Sequence, residues 1–150
     1  MKLIDSLERR VQIEKNDSAK VDLLNYLAEL NKNRDLNLSL NQATHALKIA
    51  RKIDYKKGIA TALFLKAQNA YNASNDSILW MAEKALDYST AINYHALTQQ
   101  IYQLLSYYYY DNNNLLKAKE MNDLSMQYAI SSEDRHALVR AYFSYGNFYA

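Results

Sequence analysis

Cysteine and proline are absent from this 150-residue chain, and glycine occurs twice. Without cysteine there is no disulfide, no thiolate metal ligand and no cysteine nucleophile, whatever the redox compartment. Without proline, and with so little glycine, the tight turns that join β-strands have few residues to form from. No charge dominates either. Eighteen Lys and Arg stand against 16 Asp and Glu, for a net charge of +2. The two signs are interspersed, which gives no electrostatic footprint for nucleic acid or for an anionic membrane surface. No apolar run reaches the length that spans a bilayer. The opening Met1-Lys-Leu-Ile-Asp-Ser-Leu-Glu-Arg-Arg10 lacks the apolar segment of a signal peptide. The expectation is a soluble chain with no membrane segment, cytoplasmic, or periplasmic where a signal sequence has been removed.

What is present favours helix. Hydrophobic residues make up 49% and charged residues 23% of the chain, so it is globular rather than disordered. Stretches rich in Ala, Leu, Lys and Gln are separated by polar clusters at 16–18, 31–35, 54–58, 74–76, 111–114 and 131–134. Asn, Asp and Ser in such clusters end one helix and cap the next by bonding nearby backbone groups. Gly58 is expected to supply positive-φ freedom at one of these breaks. Between breaks, apolar residues recur three and four apart, as in Leu23, Leu24, Leu27 and Leu30. The class is all-α, with helices of about 13 to 17 residues joined by short loops into antiparallel neighbours.

The helices repeat in two alternating types. Ala46-Leu47-Lys-Ile-Ala50-Arg-Lys-Ile53 returns as Ala85-Leu86-Asp-Tyr-Ser89-Thr-Ala-Ile92, and more loosely as Asp123-Leu124-Ser-Met-Gln-Tyr-Ala-Ile130. The leucines at 47, 86 and 124 are taken as equivalent. Interleaved with these, Ile59 to Tyr71 aligns with Leu97 to Tyr109 and with Leu138 to Tyr149. Two helix types with a period of roughly 40 residues predict a solenoid of helical hairpins.

Ala-Gln-Asn-Ala-Tyr71, Leu-Ser-Tyr-Tyr-Tyr109 and Tyr-Gly-Asn-Phe-Tyr149 resemble the small-residue-then-Tyr motif that ends the first helix, helix A, of a tetratricopeptide repeat. Met81-Ala-Glu-Lys-Ala-Leu86 resembles the Lys-Ala-Leu element of the second helix, helix B. The likeness covers residues from about 18 to 150. More narrowly, 20–28 and 46–60 resemble repeat arrays of bacterial sensor kinases and response regulators. The chain departs from the family pattern in having no proline after any helix B, no Trp early in any helix A, and a motif glycine only at Gly146. The resemblance implies a right-handed α-solenoid of antiparallel helical hairpins, formed by a single domain over residues 1–150. Its parts would be an N-terminal helix near 2–15, repeats near 18–53, 54–92 and 93–130, and a final unpaired helix near 133–150.

Residues at i, i+3, i+7 and i+10 share one helix face. On the segment 97–111, one such stripe is Gln100, Gln103, Tyr107 and Tyr110, and the opposite side carries Ile101, Tyr102, Leu105, Tyr108 and Tyr109. The apolar side is expected to pack, as are Leu63, Phe64, Ala67, Ala70 and Tyr71, and Ala141, Tyr142, Tyr145, Phe148 and Tyr149. The stripe's counterparts are taken as Asp22, Asn25, Glu29 and Lys32, then Ala62, Leu65, Asn69 and Asn72, then Arg140, Phe143, Asn147 and Ala150. The resemblance implies that this face lines a concave groove for a peptide or protein partner. Asn69 and Asn147 would then bond the partner's backbone. Leu65, Gln103 and Phe143 stand where the family's chaperone-tail binders carry basic residues.

Other candidates reduce to structural roles. His95 and His136 each precede Ala-Leu, and His45 has no carboxylate pattern around it, so all three read as surface or interface residues rather than metal ligands. Glu133-Asp134 opens a helix, where negative charge favours the dipole. Trp80, Met121 and Met126 read as packing residues. No phosphate loop, His-Glu-x-x-His or nucleophile elbow occurs. The expected function is non-catalytic protein–protein interaction, with no cofactor and no metal. Alternatives are the input module of a larger bacterial signalling protein, a histidine kinase or transcription regulator, and a self-associating module using the uncovered last helix.

Overall fold

A computed structural model of the chain describes residues 2–149, with side chains described through residue 147. Its helices are α1 (Lys2–Ile13), α2 (Asp17–Asn31), α3 (Leu36–Lys52), α4 (Lys56–Asn72), α5 (Ile78–Ala91), α6 (His95–Asp111), α7 (Leu115–Ser131) and α8 (Arg135–Tyr149). No strand occurs among the described residues. The protein is all-α.

The polar clusters cap as their chemistry demands. Asn16 Oδ1 accepts from the Ala19 amide at 2.9 Å, Asp35 Oδ1 from Leu38 at 2.9 Å, and Asn114 Oδ1 from Lys117 at 3.2 Å. Each satisfies an amide that the first helical turn leaves without an intrahelical partner. Asp134 Oδ1 accepts from the His136 amide at 2.8 Å in the same manner.

The helix C-termini hold the first correction. Positive φ falls on Asp54, Ser74, Asn93, Asn113 and Glu133, at 51° to 57°, and on no glycine. After four of these residues the next amide closes a 2.8 Å bond to a carbonyl five residues back, Tyr55 to Ala50, Asn75 to Ala70, Tyr94 to Ser89 and Asn114 to Tyr109. This is the left-handed cap that ends helices, made here mostly by Asn, Asp and Ser, whose short polar side chains tolerate it. Gly58, expected to provide that geometry, instead lies inside α4 and is buried. Its role is close approach. A Cβ there would stand 2.5 Å from Val21 Cγ1 and 2.6 Å from Tyr55 Cδ1. The Asn93 turn falls at the boundary expected between the repeats near 54–92 and 93–130, although no polar cluster marks it in the sequence.

Cα packing divides the chain into two compact units, residues 1–88 and 89–150. In the first, α2 and α4 run in the same direction. Asp22 meets the Tyr55 hydroxyl at 3.0 Å, and three residues on, Asn25 Nδ2 donates to the Gly58 carbonyl at 3.2 Å. α3 packs against both of these helices. Ala28, Ala43 and Leu65 form one small cluster of their core. Ser39 anchors it by donating to the Ala28 carbonyl at 2.8 Å.

In the second unit α6 and α7 are antiparallel. His95 meets Ser131, Gln99 meets Ser125 and Ser106 meets Ala118, so partners descend α7 as residues ascend α6. α8 returns along α7, with Ala129 against Ala137 and Ala141, and Ser144 donating to Asn122 Oδ1 at 3.1 Å.

These turns fix the repeat register. The first i to i+4 backbone bonds of α2, α4, α6 and α8 start at Asn16, Tyr55, Tyr94 and Asp134, spaced by 39, 39 and 40 residues. The buried edges agree, with Ser39, Ala43, Ala46 and Ala50 on α3, Ile78, Ala82, Ala85 and Ser89 on α5, and Ala118, Asn122, Ser125 and Ala129 on α7. Leu47 and Leu86 are therefore equivalent as expected, but Met126, not Leu124, is their third counterpart. Likewise the counterpart of His95 is Arg135 rather than His136.

A candidate partner-binding surface

The register changes the expected surface most on α4. With spacings of 39 and 40 residues, the positions equivalent to Gln100, Gln103, Tyr107 and Tyr110 are Thr61, Phe64, Gln68 and Tyr71. The expected set, Ala62, Leu65, Asn69 and Asn72, is one residue further on and so rotated by about 100°. Burial agrees with the corrected register at three of its four positions on α4, where Thr61, Gln68 and Tyr71 are half-buried, whereas Phe64 is buried. Leu65 is 2% exposed and Asn69 5% exposed, both inside the first unit. Asn69 Nδ2 donates to Ser39 Oγ at 3.1 Å and to the Leu65 carbonyl at 2.9 Å, so it joins α3 to α4 instead of facing a ligand. Asn25 is buried too, committed to Gly58. Of the expected residues in this unit, Glu29 and Lys32 are half-buried and paired with each other, and Asn72 is exposed.

In the second unit none of the expected residues is buried, and Gln103 and Tyr107 bond each other. Gln100, Gln103 and Arg140 are half-buried, while Tyr107, Tyr110, Phe143 and Asn147 are exposed. Beneath them lies Gln99, fully buried, which periodicity did not single out. Its amide nitrogen reaches Gln103 Oε1 and Ser125 Oγ, both at 3.1 Å, and its carbonyl oxygen Oε1 accepts from Arg140 Nε at 3.4 Å. Gln103 passes the chain outward by donating to the Tyr107 hydroxyl at 3.0 Å. One buried amide thus ties α6, α7 and α8 together and orients three side chains of the outer face. Burying a glutamine costs free energy unless its polar atoms are matched, and here they are. The signal in the sequence was a Gln where the equivalent positions of α2 and α4 hold Val21 and Ala60.

The tyrosine quartet divides as helical geometry requires. Tyr107 and Tyr110 are exposed, at 38% and 55%. Tyr108 and Tyr109 are half-buried, edge to face at 5.4 Å, with Lys117 over the Tyr109 ring. On the packing side Tyr102 stacks on Tyr128 at 5.5 Å, and His95 meets the same ring edge-on. Of the remaining expected packing residues, Ala141 is buried, whereas Tyr142 is 63% and Tyr145 39% exposed. The side chains of Phe148 and Tyr149, and Ala150, lie outside the described residues. Trp80, expected to anchor packing, is 55% exposed.

Burial first, then the neighbouring Tyr128 and Glu120, raises the Tyr102 phenol above the usual tyrosine value of 10.0. The fold therefore favours the neutral phenol. Its contribution is intact below pH 10 and is lost as pH rises through the raised folded value. Tyr102→Phe should make the alkaline fall in melting temperature shallower than in the parent chain, followed by circular dichroism. An equally steep fall in both would show that the Tyr102 ionisation does not couple to folding.

No metal-binding group of three or more His, Cys, Asp or Glu occurs among the described residues. No described helix is long and apolar enough to cross a membrane. No family model matches the chain, and no curated protein or solved structure matches it.

Proposed function

We propose that this protein is a non-catalytic scaffold of the tetratricopeptide type, its hairpins stacked as a right-handed α-solenoid, which binds a peptide or protein segment along the outer stripe of its helix A series. The observation that carries this reading is the Gln99 hub. A buried amide holding Gln103 and Tyr107 on one helix and Arg140 on another pre-organises a polar and aromatic face, and so lowers the ordering cost of binding. Tyrosine and arginine are also the residues that most often dominate binding energy. The repeat register supports the hairpin reading, because the same left-handed turn, cap and buried edge recur in successive helix pairs.

The surface that follows is narrower than the sequence pattern gives. It comprises Gln100, Gln103, Tyr107 and Tyr110 with Arg140, Phe143 and Asn147, while Asn25, Leu65 and Asn69 belong to the interior. The experiment is affinity capture from lysate with the parent chain and with Tyr107→Ala/Tyr110→Ala/Arg140→Ala. The triple variant should lose the specific partners while its helical dichroism is unchanged. Retention of every partner by a folded triple variant would show that this face is not the binding surface.

A further inference from the structure

Across the whole chain the two charge signs balance, but within the first unit they separate. α3 and α4, 17 residues each, contain no Asp or Glu. Lys48, Arg51 and Lys52 lie three and four residues apart and so share one face of α3. The turn that follows closes with the Tyr55 amide bonded to the Ala50 carbonyl at 2.8 Å, and α4 then opens on Lys56 and Lys57. All five cations are exposed. Lys48, Arg51, Lys52 and Lys56 take part in no salt bridge among the described residues. Residues 48–57 hold five cations against Asp54 alone, which leaves 13 of the 18 cations against 15 of the 16 acids elsewhere.

Stability does not account for this cluster. Like charges on neighbouring positions of a helix repel. The dipole of α3 favours cations in its last turn, which explains Arg51 and Lys52. It does not explain Lys48 one turn earlier, and at the start of α4 the dipole favours acids over Lys56 and Lys57. Nor does the repeat require them. The register puts Asp87, Thr90 and Ala91 at the positions of the α3 trio on α5, and Gln127, Ile130 and Ser131 on α7. At the helix starts the counterparts are His95 and Ala96 on α6, Arg135 and His136 on α8, so Arg135 is the one cation that returns.

We propose that this patch docks a short acidic segment of a partner protein. Cations gathered without counter-ions are complementary to carboxylates, and neighbours on the α3 face stand about 5–6 Å apart. That is close to the roughly 7 Å between alternate side chains of an extended chain. Two carboxylates bound the patch, Asp54 in the turn and Asp22, which lies 3.0 Å from the Tyr55 hydroxyl. They and the net negative remainder of the chain oppose a duplex nucleic acid or an anionic bilayer, either of which reaches well past the patch. A short segment meets the patch alone, because screening confines the field of exposed charges to about 8 Å at physiological ionic strength. None of the five cations belongs to the stripe of α6 and α8, so this docking does not depend on the groove reading.

The probe is a fluorescently labelled oligoglutamate of about 12 residues, capped at both ends and, at about 3.3 Å per residue, long enough to cross the patch. Titrated into the full chain and followed by anisotropy, it should bind saturably. Lys48→Gln/Lys52→Gln/Lys56→Gln should weaken it at least about tenfold, a loss of about 1.4 kcal/mol. Lys15→Gln/Lys84→Gln/Lys119→Gln removes the same charge elsewhere and should change the affinity by less than about twofold. All six lysines are exposed, so helical dichroism should stay unchanged in both variants. Absence of saturation overturns the proposal, and so does an equal loss in the two variants, which would trace binding to net charge. Duplex DNA or phosphatidylserine vesicles binding more tightly than the peptide, through the same three lysines, would assign the patch to that polyanion instead.

Discussion

Leu65→Ala should destabilise the first unit by about 2–5 kcal/mol, the range for truncating a fully buried leucine. The side chain is 2% exposed and packs with Ala28 of α2 and Ala43 of α3, two residues too small to close over the space it would leave. The rigid neighbours matter as much as the burial, because the cost of such a truncation grows with the cavity that survives relaxation. A residue on an open groove would behave differently, since surface substitutions away from special features change stability by no more than about 0.5 kcal/mol. Urea unfolding followed by circular dichroism separates the two, read as a lowered midpoint at unchanged slope. A change under about 0.5 kcal/mol would return Leu65 to the surface and with it the one-residue shift in α4.

That shift shows what was legible in the sequence and what was not. The all-α class, the helix series and most of the breaks follow from residue chemistry, since Asn16, Asp35 and Asn114 are both the sequence signal and the physical cap. The face of a helix is harder to read where the helix has no polar side. α4 buries Ala60, Ala62, Leu63, Leu65, Ala67 and Asn69, which lie around much of its circumference, so its apolar pattern selects no register. Matching Tyr71 to Tyr109 then looked natural, although Tyr110 is the true counterpart. In α6 a more polar outer stripe fixed the face, and its expected residues are exposed or half-buried, whereas on α8 Tyr142 and Tyr145, expected to pack, are exposed as Phe143 is. Gln99 was hidden for a related reason. A polar residue at an interior position reads as a surface residue until its partners, Ser125 and Arg140, are known from other helices.

Gly58→Ala and Gly146→Ala should have opposite signs, although each adds the same methyl group to a helix, one in the first turn of α4 and the other in the last turn of α8. On propensity alone both would gain about 0.5–1 kcal/mol, because glycine loses more backbone freedom on folding than alanine. At Gly146 nothing stands within 4 Å of the new carbon, so the gain should survive. At Gly58 the carbon would lie 2.5 Å from Val21 Cγ1 and 2.6 Å from the Tyr55 ring. Neither neighbour can step aside cheaply. Val21 is fully buried and, being β-branched, is confined to one rotamer in a helix. Tyr55 is held through its hydroxyl by Asp22, and the Gly58 carbonyl itself accepts from Asn25. Relief therefore requires α2 and α4 to separate, which strains two interhelical hydrogen bonds along the same seam. Overpacking of this kind costs about 1–3 kcal/mol, which exceeds the propensity gain. Denaturation midpoints measured side by side would decide the matter. If Gly58→Ala proves as stabilising as Gly146→Ala, the two helices are not in close contact at this point, and the glycine has no packing role.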